Sequence, residues 1–116
     1  MSKIMRRLSL GIDIGSTTIK AVLLNSDSTI IYNSYERHYA DIKSKLISTL
    51  EDVSKYVKGD EVALTVTGSG GMKIAEAMGV PFIQEVVAST KAIKKYYPET
   101  DVVIELGGED AKITYF

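Results

Sequence analysis

The chain has no cysteine and no tryptophan, one histidine and two prolines among 116 residues. Without cysteine it can form no disulfide, no thiolate zinc site and no cysteine-ligated iron–sulfur cluster. His38 has neither a second histidine nor a cysteine with which to share a metal, and it reads as a surface residue. No Ser, His and Asp arrangement of the nucleophilic kind is visible. The apolar runs are far too short to span a bilayer. Lys3, Arg6 and Arg7 lie near the start, but Asp13 breaks the apolar run that follows, so this is not a signal peptide. Lys and Arg number 14 against 15 Asp and Glu, leaving no excess charge to seek nucleic acid or an acidic lipid surface. The expected partners therefore include no nucleic acid and no membrane, and the expected location is the cytoplasm.

What is present suffices for a globular core. The length suits one ordinary domain, and 45% hydrophobic with 25% charged residues is the balance of a soluble fold. Leu8 to Ile14 is a short apolar run ending at Gly15, the pattern of a buried strand. Thr18 to Leu24 and Thr29 to Arg37 read as two more strands, separated by the turn cluster Asn25-Ser26-Asp27-Ser28. Short connections predict an antiparallel meander.

The period then changes. Ile42, Leu46, Leu50, Val53 and Val57 recur every three or four residues, which predicts an amphipathic helix with Asp41 as N-cap and Gly59 beyond its end. Glu61 to Thr67 alternates as a strand, with Ala63 suited to a crowded second face. Met72 to Met78 is a short helix stopped by Gly79 and Pro81, and Val80 to Gln84 a short extended piece. Glu85 to Tyr97 is a helix whose late lysines suit its dipole, and Asp101 to Leu106 and Lys112 to Phe116 are strands. The expected architecture is α/β: a mixed sheet of three antiparallel strands followed by parallel crossovers, with helices on its faces.

One motif occurs twice. Ile12-Asp13-Ile14-Gly15-Ser16-Thr17-Thr18-Ile19-Lys20 and Ile104-Glu105-Leu106-Gly107-Gly108-Glu109-Asp110-Ala111-Lys112-Ile113 each place an acid before a glycine turn and a lysine after it. A glycine turn lets backbone N–H groups approach an anion, and an acid beside it can hold a cation directly or through water. In the first copy, the N–H groups of Gly15 to Thr18, the hydroxyls of Ser16, Thr17 and Thr18, and Lys20 are candidate phosphate ligands. The bland reading is a plain hairpin with a solvated Asp. No Walker loop and no complete G-x-G-x-x-G occurs. Alone, the second copy reads as a hairpin with exposed acids, and Thr67-Gly68-Ser69-Gly70-Gly71 reads as a tight strand-to-helix connection needing positive φ.

Together the three blocks, Gly11 to Lys20, Val66 to Gly71 and Ile104 to Ile113, resemble the superfamily of actin, hexokinase and the heat-shock chaperones. Within it they most resemble the ATP-driven activators of 2-hydroxyacyl-CoA dehydratases and benzoyl-CoA reductases, and the long CoA-substrate-specific activases above all. The resemblance implies a ribonuclease-H-like (actin-like) fold that is duplicated in the intact protein, with ATP and Mg²⁺ between its halves. Asp13 would be the metal-side acid, joined by Glu105, where many members carry Asp. Gly15, Ser16, Thr17, Thr18 and Lys20 would meet the phosphates from one side, and Gly107 and Gly108 from the other. Glu109, and after it Asp13, would orient the attacking water.

The resemblance also implies a homodimer with one [4Fe-4S] cluster between subunits, passing an electron to a partner dehydratase or reductase as ATP is hydrolysed. The cluster cysteines are absent here, so the chain is expected to be an N-terminal fragment that binds ATP weakly and hydrolyses none. Residues 1–106 are expected to form the first ribonuclease-H-like subdomain, and 107–116 the second phosphate loop and the first strand of the next. Two other readings stay open: a sugar or other small-molecule kinase of the same superfamily, and a non-enzymatic regulatory or assembly domain.

Overall fold

The structure is a computed structural model that describes residues 6–106 and 111–116. Two compact units emerge, residues 1–83 and 84–116.

The first unit is built on a four-stranded sheet. Strands β1 (Arg7–Ile14), β2 (Thr18–Leu24) and β3 (Ile30–Arg37) form the antiparallel meander, and β4 (Glu61–Thr67) lies parallel to β1, giving the order β3-β2-β1-β4. Alternation decides which face is buried. Leu8, Leu10, Ile12 and Ile14 of β1 point to one side, with Ile19, Ala21 and Leu23 of β2 and Val66 of β4. Helices α1 (Ile42–Ser54) and α2 (Met72–Met78) cover that side through Leu46, Val53 and Ala75. Asp41 caps α1 by accepting from the Ser44 N–H at 3.2 Å. Gly79 closes α2 in the left-handed conformation, at φ 68°.

Two expectations change. Ala63 is exposed, so the second sheet face is not crowded there. Gly59 does not cap α1, which ends at Ser54 with Lys55 as its cap; Gly59 instead turns the chain into β4 at φ 73°.

At its far end the parallel β1/β4 pair is pinned electrostatically. Arg6 donates from Nη2 to Asp60 Oδ2 at 2.7 Å and from Nε to Asp60 Oδ1 at 3.2 Å. The Lys58 N–H also donates to Asp60, at 2.9 Å. These donors hold the Asp60 carboxyl well below the usual carboxylate range, the hydrogen bonds from Arg6 being the main cause.

The second unit contains α3 (Glu85–Tyr96), β5 (Val102–Leu106) and β6 (Ala111–Tyr115). Here the strand count matches expectation but the pairing is more local. One parallel crossover, through α1, is complete; the piece after α2 adds only a single parallel bridge, Val66 to Phe82. β5 pairs antiparallel with β6 in a separate two-stranded sheet, as a short connection favours.

Candidate functional site

The repeated motif is a repeat in space as well as in sequence. In the first hairpin Asp13 lies opposite Lys20, and in the second Glu105 lies opposite Lys112. Each hairpin thus sets an acid beside a lysine just before the turn. The lysines then differ in partner. Lys20 Nζ is 3.6 Å from Asp13 Oδ2, whereas Lys112 Nζ donates to Glu85 Oε2 of α3 at 2.7 Å. Glu105 itself is exposed. Gly107, Gly108 and Glu109 lie outside the described residues.

The first hairpin carries the more complete site. Asp13 is the penultimate residue of β1, between two neighbours. Lys20 lies across the antiparallel ladder, and Thr67 across the parallel one. Lys20 also sits 5.2 Å from the centroid of the Tyr35 ring, a cation–π distance. Beside Asp13, Thr67 Oγ1 is buried with no hydrogen-bond partner among the described residues. A buried hydroxyl left unpaired is costly, so such atoms mark places built for something else.

The turn itself has two loop residues, Ser16 and Thr17, closed by the Gly15 N–H donating to Thr18 C=O at 2.9 Å. Gly15 therefore spends its N–H on the hairpin, unlike the expectation that it would serve an anion. The N–H groups of Ser16 and Thr17, and the hydroxyls of Ser16, Thr17 and Thr18, have no hydrogen-bond partner among the described residues. Ser16 and Thr17 are exposed. Neither lies in the left-handed region that two-residue hairpins prefer. Such a turn does not match the twist of its strands, and it needs support from outside.

Two segments supply that support. The first is the glycine turn after β4. Gly70 donates its N–H to Ile14 C=O at 2.8 Å, and Gly71 donates to Gly68 C=O at 3.0 Å. Gly68 has φ 100°, and a Cβ there would fall 2.3 Å from Ile14 O and 2.5 Å from Asp13 Oδ1. Only glycine meets both demands. This turn is thus the strand-to-helix connection that its sequence suggests, and its Gly70 N–H braces the first hairpin.

The second support corrects the sequence reading. His38 is 5% exposed and is not a surface residue. Its N–H donates to Thr17 C=O at 3.0 Å, extending the β2–β3 ladder by one bond. Its ring bridges Ala40, whose N–H donates to Nδ1 at 3.1 Å, and Gly15 C=O, 3.0 Å from Nε2. Tyr39 and Ala40 both carry positive φ, 51° and 61°, inside a turn closed by Asp41 N–H to His38 C=O at 2.8 Å. Non-glycine residues held there cost on the order of 1 kcal/mol each. A lone histidine has no spacing pattern to betray such a role; the one available signal was its place at the end of a strand that pairs with the hairpin.

Among the described residues no group of three or more His, Cys, Asp or Glu side chains could hold a metal ion, and no helix is long and apolar enough to cross a membrane.

Comparison with known proteins places these features. The BadF/BadG/BcrA/BcrD ATPase family matches residues 10–116. An uncharacterized protein of Methanocaldococcus jannaschii is 31% identical over 90% of this chain and 41% of its own length. Among solved structures, the (R)-2-hydroxyglutaryl-CoA dehydratase component A of Acidaminococcus fermentans superposes with a TM-score of 0.78 at 23% identity, covering 93% of this chain and 42% of that one. The activator of the 2-hydroxyisocaproyl-CoA dehydratase from Clostridium difficile, solved with bound ADPNP, gives 0.70 at 26% identity, covering 96% and 41%. The chain thus spans about two fifths of the length of the relatives it matches.

Proposed function

Because this chain belongs to the BadF/BadG/BcrA/BcrD ATPase family, we propose that it is the N-terminal ATP-binding part of an ATPase that activates a CoA-ester dehydratase or reductase by ATP-driven electron transfer. The observation that carries this reading is the braced first hairpin. It offers free N–H and hydroxyl groups at Ser16 and Thr17, a lysine, a carboxylate and an orphaned threonine oxygen at one end of the β1/β4 pair. That donor set fits a polyphosphate with a hard cation. Mg²⁺ is usually held by one or two carboxylates, water and phosphate oxygens, and needs no cage of protein side chains.

In this proposal Ser16, Thr17 and Thr18 meet the phosphates, and Gly15 shapes the turn. Lys20 exchanges its 3.6 Å pairing with Asp13 for a phosphate oxygen. Asp13 holds the cation through water, with Glu105 as its counterpart on the second hairpin. Gly107 and Gly108 receive phosphate there, and Glu109 orients the attacking water. Bound Mg²⁺ would supply charge neutralisation at the phosphates; the rest of the catalysis would come from positioning. Residues 1–106 are proposed as a first subdomain and 107–116 as the opening of a second. The proposed partner is a 2-hydroxyacyl-CoA dehydratase or related reductase, met by a homodimer of the longer protein. A [4Fe-4S] cluster does not fit the residues of this chain, which has no cysteine, and no step here passes through one.

A titration of the ¹⁵N-labelled chain with MgATP tests the reading. Amides of Ser16, Thr17 and Thr18 should move together at millimolar ligand, with a smaller response in Asp13→Asn. Shifts scattered elsewhere, or no response at Ser16 to Thr18, would overturn it.

A further inference from the structure

We infer that His38 is a positioning residue for the first phosphate loop: its imidazole, held in a single tautomer, sets the direction in which the Ser16 N–H points, and its backbone N–H does the same for the Thr18 N–H. The inference rests on the phosphate-binding reading of that loop and adds the group that fixes its shape. The Ala40 N–H donates to Nδ1, so Nδ1 carries no proton and Nε2 does. The Nε2–H then donates to Gly15 C=O. The His38 backbone N–H takes Thr17 C=O. Two carbonyls flanking Ser16 are thus both engaged from His38.

A peptide plane whose carbonyl is held has its N–H held as well, pointing the opposite way. Fixing Gly15 C=O therefore fixes the Ser16 N–H, and fixing Thr17 C=O fixes the Thr18 N–H. Ile14 C=O is held independently by Gly70. The loop has unfavourable twist for its strands, and it needs these bonds to stay in one conformation. The positive-φ turn at Tyr39 and Ala40 places the Ala40 N–H on Nδ1, and that contact selects the tautomer able to reach Gly15. His38 is 5% exposed, which leaves its ring little access to water.

Two side-chain amides divide the ring's functions. His38→Gln keeps a donor near Nε2, and His38→Asn keeps an acceptor near Nδ1. The loop-positioning role predicts that Gln retains most of the MgATP-induced movement at the Ser16 amide. Asn and His38→Phe should weaken it by about three- to tenfold, the effect of one lost hydrogen bond. Should Asn rescue and Gln fail, the ring would matter only to the Tyr39–Ala40 turn, and the inference falls. Wild-type response undiminished in His38→Phe also sinks it, whereas no MgATP response in the wild type defeats the nucleotide reading instead. A ligand-free measurement needs no variant: long-range ¹H–¹⁵N spectra of the wild type should show the Nε2-protonated form alone. The Nδ1-protonated form, or a mixture, would overturn the inference.

Discussion

At Thr67 the structure leaves a hydroxyl buried with no partner among the described residues, beside Asp13 and at the start of the glycine turn. Its neighbours are not permissive. Gly68 has no room for a methyl group against Ile14 and Asp13, and Gly71 would set a Cβ 2.6 Å from Thr67 O. The backbone is therefore fixed around Oγ1, and the atom has no local means of finding a partner. Removing it should relieve a desolvation cost. Thr67→Val is expected to stabilise the chain by roughly 1 kcal/mol in urea unfolding, while reducing the MgATP response at Ser16 and Thr17. A loss of stability in Thr67→Val would mean that the oxygen has a structural partner after all. The spacing of residues gave no warning of this atom. Thr67 reads in sequence as the end of an alternating strand, and only the parallel register that sets it beside Asp13 gives it significance.

Elements were more legible than residues, and the reason is periodicity. The alternation along Leu8 to Ile14 and the three-to-four spacing from Ile42 to Val53 each follow from one buried face, which the chain needs wherever the element sits. The β5–β6 hairpin, joined by a short connection, was within reach too. Pairing between distant segments has no such local signature, so the brace at His38 was not visible. Nor was the ion pair that sets the β1/β4 register from its opposite end. Asp60 accepts from Arg6 and from the Lys58 N–H, and its folded pKa lies below its unfolded value. Stability from such a group is present above the unfolded pKa and is lost as pH falls toward the folded one. The protein should therefore lose stability below about pH 4. Asp60→Asn should unfold at lower temperature than the wild type at neutral pH and show a shallower decline on acidification. Parallel acid limbs in the two proteins would remove Asp60 from the account.

Across the whole molecule the apolar burial is uneven. Among the described residues, every buried member of the hydrophobic core lies in the first unit, from Leu8 to Ala75. In the second unit α3 buries no residue, and Ile104, Leu106, Ile113 and Tyr115 are 63%, 81%, 57% and 75% exposed. A helix with a two-stranded hairpin and little burial is marginal by itself. Native-state hydrogen exchange should divide the chain accordingly. Amides of Leu10, Ile12, Ala21 and Val66 should exchange only through global unfolding, and those of Ile104, Ile113 and the interior of α3 through openings that leave the first unit intact. The gap should be visible as different denaturant dependences, steep for the first set and nearly flat for the second. Equal protection and equal slopes would show one cooperative unit. If the division holds, the β1–β2 hairpin stands on a rigid sheet. MgATP should then perturb Ser16 and Thr17 without slowing exchange at Ile104 or Ile113.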